Sequence, residues 1–281
     1  MITILNRAFV TRCIFIVYLI SLIFRYYQGG FMHQFANPLM MYPSVNITYW
    51  IFLLLKIPQF FTSHYWLSLI ADGILLSSCI GIILYPEKYV LAIVFTLSYW
   101  LNYMGYCMVF VYQPSVYAPL ILCIPSMFKT DFKFSLTFWA IRFWTCFLYF
   151  EAGFLKIYRG GVFYAEHMVN SIKMSIPLYF VQEPEAGFRL SIKQLFLANP
   201  TLAQTLFVIA TLLELTFIIG FFTRKFDWFL LILFLSFHIF NEVLMNMTFM
   251  NHLILYSCCF IPWDKVHLSR FGMVLIKLEK N

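Results

Sequence analysis

Arg142, Thr145, Tyr149, Ala152 and Lys156 follow one another at steps of three, four, three and four residues. That rhythm keeps one side of an α-helix turned toward a partner, so a guanidinium, a hydroxyl, a phenol and an amine share a face. Ionisable groups inside apolar spans are functional candidates by default, so Arg142, Tyr149 and Lys156 stand as candidate catalytic groups. The competing reading is that an acid from another helix neutralises Arg142 while Lys156 snorkels to the membrane boundary. Glu151 lies about 140° around the helix from Lys156, so the two do not pair along it. Downstream, His238, Asn241 and Glu242 fall at i, i+3 and i+4 and again share a face. Histidine and glutamate one turn apart can share a zinc ion. No second histidine pair or thiolate cluster at ligand spacing accompanies them, so no metal is expected. With Glu214 they read better as a polar network that ties helices together. Asp72 is a further ionisable group inside an apolar stretch, and such groups are functional candidates by default.

Membrane helices must position these residues. Of the 281 residues 62% are apolar and 11% are charged, where a soluble domain has roughly 25% charged residues to wet its surface. The aromatic share of 21% suits lipid, with Trp and Tyr at the interfaces. A span needs about 20 apolar residues. Spans are expected at Ala8–Phe24, Tyr65–Tyr85, Tyr89–Tyr112, Ser115–Phe128, Phe132–Ile157, Ala203–Phe222, Trp228–Met245 and Phe249–Trp263, eight in all. Ser115–Phe128 is short enough to re-enter rather than cross. The fold class is therefore all-α, a polytopic bundle forming one domain over residues 1–281.

Loop charge orients the bundle. Eleven of the 19 Lys and Arg fall on the face that holds both termini and seven on the other, with Arg142 inside a span. Both termini are expected in the cytoplasm. The long connections Arg25–His64 and Tyr158–Leu202 then lie outside, with interfacial helices near Tyr49–Lys56, Ala165–Met174 and Arg189–Ala198. The first span is expected to be retained rather than cleaved as a signal. The net charge of +7 comes as ones and twos of Lys and Arg, without a basic run, which argues against nucleic acid as a partner. The seven cysteines sit in apolar stretches and read as small packing residues, not a disulfide framework.

Arg142, Tyr149-Phe150, Ala152-Gly153 and Lys156-Ile157 resemble the Arg…Tyr-Phe-x-Ala-Gly-x-x-Lys-Leu signature of the HTTM superfamily. That is the membrane domain shared by vitamin K-dependent gamma-glutamyl carboxylase and many bacterial proteins. Glu214, Gly220, Arg224, His238, Asn241 and Phe249, closing with Pro262-Trp263, are similar to a second block of the same family. The resemblance covers about Phe132–Trp263 and is only hydropathic before that. It implies a helical bundle with a lipid-accessible pocket on the outer side, where the lysine matching Lys156 is a base. There are departures. Ile157-Tyr158-Arg159-Gly160-Gly161 stands where the family has Trp-x-x-Gly, and Leu101-Asn102-Tyr103 lacks the histidine of the carboxylase's Asn-His-Ser-Tyr. No lumenal peptide-binding domain is expected, and gamma-carboxylation is not expected either. Two functions follow from the resemblance. One is a membrane subunit, in a bacterial inner membrane, acting with a secreted peptide, toxin or export partner. The other is a membrane enzyme that uses Lys156 as general base on a quinone or other lipophilic substrate; no cofactor is named by the residues themselves.

Overall fold

The computed structural model describes residues 3–35, 47–109, 118–173, 187–245, 256–263, 266–268 and 274–276. The chain groups into two compact units, Met1–Trp139 with Trp263–Asn281, and Ala140–Pro262. Both are built from helices.

In the first unit α1 (Arg7–Tyr27), α4 (Tyr65–Leu84) and α5 (Tyr89–Val109) form the main layer, α4 packing on both of the others. Shorter helices α2 (Ile47–Leu54), α3 (Ile57–Ser63) and α6 (Ala118–Ile121) complete it. α1 starts where the Asn6 side chain accepts from the Phe9 amide at 3.0 Å, satisfying one of the free donors of a first turn. The core is aromatic, with Phe15, Tyr18, Phe95 and Tyr99 packed ring against ring at 5.0–5.4 Å.

α7 (Asp131–Tyr158) supplies its first turns to this unit and the rest to the second. The Thr130 hydroxyl accepts from the Lys133 amide at 3.4 Å at its start. Gly160, at φ 77, ends it, since a left-handed residue after the last turn favours glycine. The second unit continues with α8 (described over residues 167–173), α9 (Gly187–Ala198), α10 (Pro200–Leu215), α11 (Ile219–Phe222) and α12 (Asp227–Met245). A 3₁₀ turn, Thr216–Ile218, joins α10 to α11. Met168, Val169, Ile172, Phe196, Ala203, Phe207 and Leu244 form one apolar cluster that packs α8 and α9 on α10 and α12.

Four helical stretches are long and apolar enough to cross a membrane: Arg7–Gln34, Tyr65–Leu84, Pro200–Phe222 and Asp227–Leu244. They mark an integral membrane protein. α5 and α7 fall on two other expected spans, but α7 carries Arg142, Glu151 and Lys156 along its length. Within Ser115–Phe128 the described residues make only the four-residue α6 and a 3₁₀ turn at Pro125–Met127. Residues 249–255 of the last expected span lie outside the described residues. Short helices do occupy the long connections, at Ile47–Leu54, residues 167–173 and Gly187–Ala198. One small departure from an all-helical chain is an antiparallel pair, β1 (Val266–Leu268) with β2 (Val274–Ile276), Val266 opposite Ile276.

Candidate functional site

Three links tie α7 to the helices beside it, spaced about two turns apart along its length. At the first, Arg142 lies 2.5 Å from Asp227, the first residue of α12. Its guanidinium also donates to the carbonyls of Gly220 at 2.7 Å and Thr223 at 3.4 Å. Those carbonyls belong to the end of α11, where a helix leaves acceptors unpaired and a cation is favoured. Arg142 thus closes the turn that joins α11 to α12. Both partners are buried, at 6% and 2% side-chain exposure.

Tyr149 makes the second link. Its hydroxyl hydrogen-bonds His238 Nε2 on α12, and its ring packs on Phe217 and Phe234 at 4.9 and 5.1 Å. At the third, Lys156 Nζ donates to both oxygens of Glu214 on α10, at 2.6 and 2.7 Å. Phe207 and Phe237 stand beside the ammonium at 5.7 and 5.3 Å, in cation–π range. Glu214 is 3% exposed and Lys156 31%. Gly153 makes this pair reachable. A Cβ there would lie 3.0 Å from Glu214 Cβ and from the Thr211 carbonyl, so the two backbones touch where a side chain would hold them apart. Small residues at such crossings are a device of membrane helix pairs. Gly220 is similar, because a Cβ at that position would collide with Cys146 Sγ.

Arg142, Glu214 and His238 are all buried, as ionisable groups in a bundle should be. They do not form one cluster; each takes its own partner at its own level of α7. His238 and Glu242 likewise part company, since Glu242 lies 3.5 Å from Arg189 of α9. Asn241 is half-buried. The acid that neutralises Arg142 was legible only as an unnamed residue from another helix. Asp227 follows Arg224-Lys225-Phe226 and reads as loop charge, although an acid in the first turn of a helix is a favoured placement.

A cavity of about 490 Å³ opens beside the third link. Its lining includes Ala152, Leu155, Lys156, Arg159, Tyr164 and His167. Lys156 therefore has a cavity at its side, while its protons are shared with Glu214.

The first unit holds a polar cluster of its own. Asp72 accepts from His33 Nδ1 at 2.8 Å, from the His33 amide at 3.0 Å and from Asn102 Nδ2 at 2.9 Å. Asn102 Oδ1 in turn accepts from Arg25. Arg25, expected at the head of an outer loop, is instead fully buried in the last turn of α1. Tyr99, Tyr103 and Tyr106 surround its guanidinium at 4.7–5.4 Å. Tyr99, Asn102, Tyr103 and Tyr106 fall at i, i+3, i+4 and i+7 on α5, one helical face, a spacing that could have signalled the Arg25 seat. No protein-family model, no curated protein and no solved structure matches this chain.

Proposed function

We propose that the chain is a non-catalytic membrane subunit that acts beside a secreted peptide, toxin or export partner. One observation carries this reading: each reactive group on the α7 face is spent on a link between helices, Arg142 on Asp227, Tyr149 on His238 and Lys156 on Glu214. A general base needs a free lone pair, and an ammonium that donates to two carboxylate oxygens offers none. The residues that resemble the HTTM signature then serve as the frame of the bundle. The bundle spans a bacterial inner membrane eight times with both termini in the cytoplasm.

Acylation with a membrane-permeant amine reagent at neutral pH tests the state of Lys156. In the native protein Lys156 is expected to label slowly, and Glu214→Gln is expected to accelerate labelling by removing the partner charge. Rapid labelling of the native lysine would overturn the subunit reading. Stability gives a second readout. Lys156→Ala leaves Glu214 buried alone and should lower the melting temperature, while Lys156→Arg keeps the cation and should restore most of it.

Orientation is tested separately. A cysteine at Ser191 should react with an impermeant maleimide added outside, and one at Ser269 should not. The reverse pattern would sink the eight-span arrangement.

The second reading, a membrane enzyme that uses Lys156 on a quinone or other lipophilic substrate, is favoured by the 490 Å³ cavity beside the amine. Sites of that size hold small ligands. Under this reading Lys156→Arg keeps the fold and loses turnover, because a guanidinium does not act as a base at neutral pH.

A further inference from the structure

We infer that the cavity at the end of α7 is a phosphate site, and that its occupant is the phosphate of a lipid head group. The inference rests on the membrane placement of the chain, and on neither function proposed for Lys156.

The walls decide the charge of the ligand. Lys156, Arg159 and His167 line the cavity, Tyr164 adds a hydroxyl, and no carboxylate is among the lining residues. Glu214 sits behind Lys156 and uses two of its three N–H groups, which leaves one. Arg159 is exposed and has no ion pair among the described residues. The His167 ring rests on Phe207 at 4.8 Å and makes no side-chain hydrogen bond among the described residues. With the charge of Lys156 balanced by Glu214, Arg159 is the uncompensated cation of a lining that also offers a histidine and a phenol and no carboxylate, and such a lining favours an oxyanion. Phosphate has enough acceptor oxygens to engage a guanidinium fork, an ammonium and a hydroxyl together.

The frame of the cavity is built. Gly160, in the left-handed region, carries the chain off α7. Gln204 on α10 then donates to the carbonyls of Gly161 and Val162 at 3.3 and 2.8 Å. Those two acceptors are thereby engaged by α10, where bare carbonyls would repel an anion. Ala152 and Leu155 give the same cavity an apolar wall, which suits the glycerol and upper acyl carbons that follow a lipid phosphate. The second unit has two stretches long and apolar enough to span a membrane, which gives the site access to such a lipid.

The test uses the full chain in maltoside micelles, with bound adducts read by native mass spectrometry. Phosphatidylglycerol, diacylglycerol and inorganic phosphate are the three probes. Phosphatidylglycerol is expected to bind, and Arg159→Gln to weaken it about tenfold, the worth of one charge-assisted contact. Arg159→Lys should keep most of the affinity, and His167→Ala should lose part of it. Diacylglycerol should not bind at this site. Equal binding of phosphatidylglycerol by native protein and Arg159→Gln overturns the site. Arg159-dependent binding of inorganic phosphate as tight as that of the lipid overturns the lipid as occupant and leaves a soluble phosphate in its place. Failure of the membrane reading shows differently, as native protein that stays monodisperse without detergent.

Discussion

Arg142→Leu is expected to abolish folded protein. The substitution leaves Asp227 buried with its main partner gone, and Arg224 at 3.6 Å replaces only part of that interaction. Removing one member of a buried ion pair costs about 3–5 kcal/mol, a large share of the stability of an ordinary domain. Two acceptors at the end of α11 lose their donor at the same time. The check is the monodisperse yield by fluorescence-detected size exclusion. Arg142→Lys should recover little, since one ammonium cannot reach a carboxylate and two carbonyls as the planar fork does. The double variant Arg142→Leu/Asp227→Leu should recover more than Arg142→Leu alone, because no charge is then left unpaired. A single Arg142→Leu that folds like the native chain would show that the clamp on the α11–α12 turn is dispensable.

The second large effect is at Gly153. Leucine there must push α7 and α10 apart, because Glu214 Cβ, the Thr211 carbonyl and the Leu215 amide all lie within 3.2 Å of the new Cβ. Gly153→Leu is expected to lose the folded second unit. Gly153→Ala gains helix propensity of about 1 kcal/mol against an overpacking cost of about 1–3 kcal/mol, and should lower the melting temperature modestly. It should also weaken the Lys156–Glu214 link. In a double-mutant cycle, Glu214→Gln is then expected to cost less on the Gly153→Ala background than on the native one. Additive effects would mean that the close crossing and the ion pair are independent.

The helical face Arg142–Lys156 was readable because periodicity alone fixes which residues of a long helix point the same way. Its partners were not. Glu214 and His238 stood out as ionisable groups in apolar stretches, yet nothing in their spacing assigns one to Lys156 and the other to Tyr149. That pairing depends on how far each helix advances along its neighbour. Asp227 was missed because a polar turn hides an acid among other charges. Arg25 was misplaced because hydropathy counts a cation at the end of a span as loop charge, while the aromatic seat that buries it lies about 75 residues further along the chain. Ser115–Phe128 reads as short enough to cross or re-enter, and hydropathy does not show the 3₁₀ turn that Pro125 opens there.

The 3₁₀ turn Thr216–Ile218 acts as a phase corrector. An α-helix turns about 100° per residue and a 3₁₀ helix about 120°. In an unbroken α-helix the six steps from Glu214 to Gly220 would leave the two residues about 120° apart around the axis. Three steps at the tighter pitch shrink that offset to about 60°. The carboxylate that meets Lys156 and the glycine that admits Cys146 therefore both address α7 with about half the angular spread of an unbroken α-helix.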